Sequence, residues 1–123
     1  MESNNILVID DSNTNLVLIE SLLERNGFVV MSALSAKEGL KALKESKPDL
    51  IYLDLVMPEI DGIEFIQIVK KNKAWKNIPI VILSAVTDRD IIRKSKDMGA
   101  IDYITKPLNI HRILTLTRDI LKN

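Results

Sequence analysis

The sequence predicts an α/β fold, a doubly wound parallel sheet of five strands with five helices. Three observations carry this. Short apolar runs alternate five times with stretches of helical periodicity, and no low-complexity segment, linker or internal repeat interrupts them. The fourth run, Ile80-Val81-Ile82-Leu83, is wholly apolar, as expected for a strand buried on both faces of a parallel sheet. The 123 residues, 46% apolar and 28% charged, fit a single domain over residues 1–123 with a core of its own. Parallel strands joined through helices take right-handed crossovers, which cover both faces of the sheet.

The elements follow in order. Ile6 to Ile9 reads as the first strand and ends at Asp10-Asp11. Leu16, Ile19 and Leu23 then recur at helical spacing, and the helix closes at Asn26-Gly27, with Gly27 suited to the C′ position. Phe28 to Ala33 is the second strand. Ser35-Ala36-Lys37-Glu38 has capping-box spacing and opens a helix through Leu40 and Leu43, which Pro48 stops. Leu50-Ile51-Tyr52-Leu53 is the third strand, ending at Asp54. A loop bearing Pro58 and Gly62 leads into a helix with Phe65, Ile66 and Val69. The fourth strand ends at Ser84, and Thr87 to Asp90 caps a helix running to Met98-Gly99. Ile101 to Ile104 is the fifth strand, Lys106-Pro107 follows, and the last helix starts near Asn109.

Composition removes several classes of function. Cysteine is absent, which excludes disulfides and thiolate metal sites. No apolar run approaches the roughly 20 residues of a membrane span, and Met1 to Asn5 carries no basic leader, so a cytoplasmic protein without membrane contact is expected. Net charge is zero but unevenly spread. Residues 1–61 hold eleven acidic and five basic residues, and residues 62–123 hold six and twelve. Much of the positive excess lies in Lys70, Lys71, Lys73, Lys76, Arg89, Arg93, Lys94 and Lys96. These suit solvated helix faces or a docking surface for an acidic partner. Direct nucleic-acid binding is not expected. His111, the single histidine, falls in the first turn of the last helix, away from other polar residues, and reads as a surface side chain.

In an open parallel sheet, ligands bind outside the carboxyl ends of the strands. Asp10 and Asp11 end the first strand, Asp54 the third and Ser84 the fourth, and Lys106 follows the fifth. Each has an ordinary alternative as helix start, turn, cap or solvated charge, but together they are what one reaction requires. Clustered carboxylates repel, and a hard divalent cation relieves them; Mg²⁺ takes one or two carboxylates and keeps positions for phosphate oxygens. A carboxylate beside it can act as a nucleophile on phosphorus, with Lys106 and Ser84 placed to meet the phosphoryl oxygens.

Asp10-Asp11, the segment Asp54-Leu55-Val56-Met57-Pro58-Glu59-Ile60-Asp61-Gly62, Ser84-Ala85 and Tyr103-Ile104-Thr105-Lys106-Pro107, in this order and spacing, resemble the signature of response regulator receiver domains. The resemblance runs from about Asn5 to Lys122. It implies a flavodoxin-like sheet of strand order 2-1-3-4-5. It implies Asp54 as phosphoacceptor, charged by a sensor histidine kinase or a histidine phosphotransfer protein. It also implies Mg²⁺ held by Asp10, Asp11, Asp54 and the main-chain carbonyl of Val56. Lys106 contacts the phosphoryl group, its bond to Pro107 is cis, and Ser84 and Tyr103 shift inward on phosphorylation. In receivers, the side chains two residues past the acceptor and two past the switch hydroxyl border the path of the hydrolytic water. Here these are Val56 and Val86, which implies slow self-dephosphorylation.

Some positions depart from the common pattern. Leu108 stands where an aromatic often follows, Ser84 where threonine is commoner, and Lys96 where an apolar residue is frequent. A phosphohydrolase on the same kind of sheet would need an acid two places after Asp54, and Val56 stands there. The function expected is a phosphoacceptor switch without a small-molecule substrate to turn over, either a stand-alone receiver or part of a longer regulator. In the last helix, Ile110, Ile113, Leu114, Leu116, Ile120 and Leu121 span roughly 160°, wider than one core face needs. Either the stripe is wide but buried, or Leu116 and Ile120 are partly exposed and, with the basic fourth helix, form a homodimer or output contact.

Overall fold

The computed structural model describes residues 4–57 and 61–122. The elements are β1 (Asn5–Ile9), α1 (Asn13–Arg25), β2 (Val29–Ala33), α2 (Ala36–Glu45), β3 (Leu50–Leu53), α3 (Gly62–Lys71), β4 (Ile80–Ser84), α4 (Arg89–Asp97), β5 (Asp102–Thr105) and α5 (Ile110–Leu121). The five strands form one parallel sheet in the order β2-β1-β3-β4-β5. Pro58, Glu59 and Ile60 of the expected loop and signature lie outside the described residues.

Side chains alternate across a strand, so each strand of the sheet feeds two cores. Leu7, Ile9, Ile51, Leu53, Ile80 and Ile82 face one layer, where Leu43 of α2 and Phe65, Ile66 and Val69 of α3 pack. Ile6, Val8, Leu50, Tyr52, Val81 and Leu83 face the other, against α1 and α5. Every residue of β3 and β4 is buried, as expected for central parallel strands. Each fully buried Leu or Ile contributes roughly 1.5–3 kcal/mol, so this double layer dominates the fold's stability. Among the described residues, no helix is long and apolar enough to cross a membrane.

Local chemistry ends each helix. Gly27 takes φ +91°, the left-handed conformation a C′ residue needs, while Phe28 N–H and Gly27 N–H bond Leu23 and Glu24 carbonyls at 3.1 and 3.2 Å. That motif uses Phe28, so β2 starts one residue later than expected. Ser35 caps α2 by accepting from Glu38 N–H at 3.1 Å. The Glu38 carboxylate accepts from Leu34 N–H at 3.5 Å rather than from Ser35, so the capping box is displaced by one residue. Asp88, within the expected Thr87 to Asp90 cap, caps α4 through Asp90 and Ile91 N–H, and Asn109 caps α5 through Arg112 N–H. Gly62, expected in the loop, is the first residue of α3.

One expectation is corrected. Leu116 is only 8% exposed and packs in the core with α1, whereas Ile120 is partly exposed, as expected. The wide stripe of α5 is used because two partners cover it, the sheet and α1; Arg118 of α5 also donates to the Asn26 side chain at the end of α1 at 2.9 Å. Leu116 therefore offers no partner surface. On α4, Arg89, Arg93, Lys94 and Lys96 are exposed, whereas Lys70 is half-buried and donates to the Lys76 carbonyl at 3.0 Å.

Candidate functional site

Strand register brings the acidic residues together. Ile9 pairs with Leu53, and Asp54 N–H donates to the Ile9 carbonyl at 2.9 Å, so the residues just past β1 and β3 stand side by side. Carboxylate oxygens of Asp10, Asp11 and Asp54 all lie within 4.8 Å of one another. On the far side of β3, Ser84 pairs with Thr105, and Lys106 N–H donates to the Ser84 carbonyl at 2.9 Å. The Lys106–Pro107 peptide bond is cis. The lysine side chain crosses over the ends of β4 and β3, and its ammonium lies 2.9 Å from Asp10 Oδ2 and 3.1 Å from Asp54 Oδ2.

The three carboxylates differ in environment. Asp10 is wholly buried, its Oδ1 accepting from Ser12 N–H at 2.8 Å and its Oδ2 from the Asn15 amide at 3.4 Å. Asp54 is buried and accepts from Val56 N–H at 3.1 Å through Oδ1, while Asp11 is exposed. Burial pushes the Asp54 carboxyl above the usual carboxylate range, and the bonds from Lys106 and Val56 N–H pull back only part of that. Burial alone would lower Lys106, but the carboxylates of Asp10 and Asp54 outweigh it and hold the ammonium above its ordinary value. The Asp54 segment is also held from behind. A Cβ on Gly62 would lie 2.6 Å from Leu55 Cα and 2.8 Å from the Asp54 carbonyl oxygen, so α3 starts in direct contact with the main chain carrying Asp54.

Ser84 and Tyr103 form a separate group. Ser84 is buried and its Oγ accepts from Val86 N–H at 3.2 Å. Tyr103 is half-buried and its hydroxyl donates to the Val86 carbonyl at 2.7 Å. Neither side chain hydrogen-bonds to the carboxylates. The Val56 side chain is 62% exposed at the rim, and its N–H is the group bonded to Asp54. His111 is exposed on α5.

Sequence reading missed Asn15 and the Asp10–Lys106 pair. The Ser12-x-x-Asn15 spacing marks the first turn of α1, which aims Ser12 N–H and the Asn15 amide back at Asp10, so Asn15 was within reach of inspection. The pair was not, because it depends on strand order. The donor set is all oxygen, dense and partly solvated, which fits a hard divalent cation such as Mg²⁺.

Residues 6–118 match the family model described as response regulator receiver domain. Sporulation initiation phosphotransferase F of Bacillus subtilis is 32% identical over 114 residues, covering 92% of this chain and 90% of that protein. The alkaline phosphatase synthesis transcriptional regulatory protein PhoP of Bacillus subtilis is 35% identical over 117 residues, covering 95% of this chain. The chain spans 15% to 50% of the length of the larger curated relatives it matches. The structure of the chemotaxis protein CheY4 of Vibrio cholerae superposes with a TM-score of 0.91 at 26% identity, covering 97% of this chain and 99% of that one.

Proposed function

The chain belongs to the response regulator receiver domain family of two-component systems, and from that premise we propose that Asp54 is its phosphoacceptor. The observation that carries the reading is the convergence of Asp10, Asp11 and Asp54 on one ammonium, Lys106, at the carboxyl rim of the sheet. Receiver domains interact with histidine kinases or phosphotransfer proteins; here a phosphohistidine of such a protein is the donor. A carboxylate oxygen of Asp54 forms a bond to phosphorus as the bond to the imidazole nitrogen breaks, and the departing imidazole takes a proton from solvent.

Positioning and charge neutralisation dominate phosphoryl transfer, and the residues divide these tasks. Val56 N–H and Lys106 fix the Asp54 carboxylate before reaction. Asp10, Asp11 and Asp54, with the main-chain carbonyl of Val56, are the groups assigned to Mg²⁺. When bound, Mg²⁺ supplies positive charge to the phosphoryl oxygens. Lys106 then exchanges its carboxylate partners for a phosphoryl oxygen, and Ser84 Oγ leaves Val86 N–H to donate to another. Tyr103 gives up the Val86 carbonyl and follows inward. The new charge thus biases a two-state element made of Ser84, Val86 and Tyr103. On this reading the protein catalyses its own phosphorylation and hydrolysis and turns over no diffusible substrate.

Intact-mass measurement after incubation with Mg²⁺ and acetyl phosphate tests this. One alkali-labile phosphoryl group is expected on the wild type and none on Asp54→Asn. Equal labelling of both refutes Asp54 as the acceptor.

A further inference from the structure

Tyr52 is wholly buried in β3, two residues before Asp54, in the core layer shared with α1 and α5. The ring fills that layer as phenylalanine would; the hydroxyl does more. It contacts Thr117 Oγ1 and donates toward the Ile113 carbonyl at 3.2 Å. Thr117, also wholly buried, donates to the same carbonyl at 2.7 Å. A polar triangle thus closes between the acceptor strand and the middle turn of α5. Burial pushes the Tyr52 phenol up to about 12, so it keeps its proton and remains a donor.

The rest of this layer is apolar, and apolar contact is non-directional. It holds α5 against the sheet without fixing the helix along the strand. Among the described residues, the other side-chain hydrogen bonds from a strand to a helix are exposed, Ser32 to Glu20 and Arg112 to Asp102. A buried hydroxyl left without its partner carries a desolvation penalty, so the Tyr52 bond has one preferred register. We propose that Tyr52 is a positioning residue that locks α5 to the acceptor strand, so that a change at Asp54 reaches the Ile113–Thr117 turn of α5. This rests on the reading of Asp54 as the phosphoacceptor.

Site-resolved amide hydrogen exchange on the wild type, Tyr52→Phe and Thr117→Val tests it, in Mg²⁺ alone and in Mg²⁺ with acetyl phosphate. Both substitutions preserve shape and remove one hydroxyl. In the wild type, the phosphoryl donor is expected to change exchange after Asp54 and in the 113–117 turn. Tyr52→Phe keeps the first response and loses the second; Thr117→Val, which leaves the Tyr52–Ile113 bond in place, keeps the first and weakens the second. A variant turn that responds like the wild type overturns the proposal, as does a wild-type turn that ignores the donor while the Asp54 segment responds. If neither segment responds and no phosphoryl mass appears, the acceptor reading fails instead, and the resting samples judge the lock. There Tyr52→Phe should speed exchange in the 113–117 turn roughly fivefold relative to α1, the effect of about one net hydrogen bond. General destabilisation would speed both helices alike, and equal acceleration sinks the lock.

Discussion

Replacing Lys106 with methionine keeps the length of the side chain and removes the ammonium that joins Asp10 to Asp54. At 2.9 and 3.1 Å each contact is worth roughly 5 kcal/mol in gross Coulomb energy at an effective dielectric near 20, most of it offset by the loss of hydration. What the substitution exposes is the cost of leaving buried carboxylates unpaired, about 3–5 kcal/mol when one partner of a buried pair is removed. The Lys106 side chain is 18% exposed, so solvent screens part of this and the lower end, about 3 kcal/mol, is expected. Without divalent metal, Lys106→Met should therefore melt roughly 10 °C below the wild type. Two further signs follow. Burial already raises the Asp54 carboxyl, and the variant removes the ammonium that pulls it back, so its folded pKa lies further above the unfolded one; the variant's deficit is smallest below about pH 4 and grows as pH rises through the folded value. Saturating Mg²⁺ should close most of the gap, since the same carboxylates then share a cation. Calorimetry across pH, with and without Mg²⁺, measures all three. Equal melting of the two proteins at neutral pH without metal would refute the ion-pair reasoning, and a gap that Mg²⁺ leaves untouched would refute the shared site.

Two other variants probe the rim. Gly62→Ala places a methyl group against the main chain of Asp54 and Leu55, which cannot yield as a flexible side chain would. It should cost about 2–3 kcal/mol in denaturant unfolding and slow labelling of Asp54; wild-type values of both would show that the contact is slack. Val56→Asn with Val86→Glu should give the hydrolytic water polar partners and shorten the phosphoryl lifetime roughly tenfold, about 1.4 kcal/mol of barrier. Phosphate release timed after removal of the donor checks this, and identical decay in the double variant assigns the lifetime to something other than these valines.

Much of this is legible in the sequence. Strand ends could be placed because an apolar run stops where a polar residue begins, and in a parallel sheet those stops fall on one rim. Caps such as Ser35 and Asn109 announce themselves by residue type and spacing. What could not be read were contacts between residues distant in the chain. Lys106 meets Asp10 only because β1 and β5 flank the β3–β4 pair. Tyr52 is one more apolar letter within Leu50 to Leu53 until α5 supplies Thr117. The stripe on α5 had a measurable width, but periodicity counts apolar positions and does not say how many neighbours cover them. Leu116 was misplaced for that reason.

The resting rim carries three carboxylates and one ammonium, an excess of two negative charges in a partly buried setting. Phosphohistidine and acetyl phosphate are themselves anionic, so before the cation is in place the rim repels them, and collision alone seldom brings phosphorus within reach of Asp54. Divalent charge cancels the excess, and monovalent charge leaves half of it. The encounter should therefore be ordered, cation first and donor second. Its signature is kinetic: the labelling rate saturates with Mg²⁺ at every donor concentration, and with Mg²⁺ removed no donor concentration restores labelling. On the proposed reading, the arrangement that holds Asp54 ready thus also makes the switch deaf to phosphoryl donors until a divalent ion has arrived.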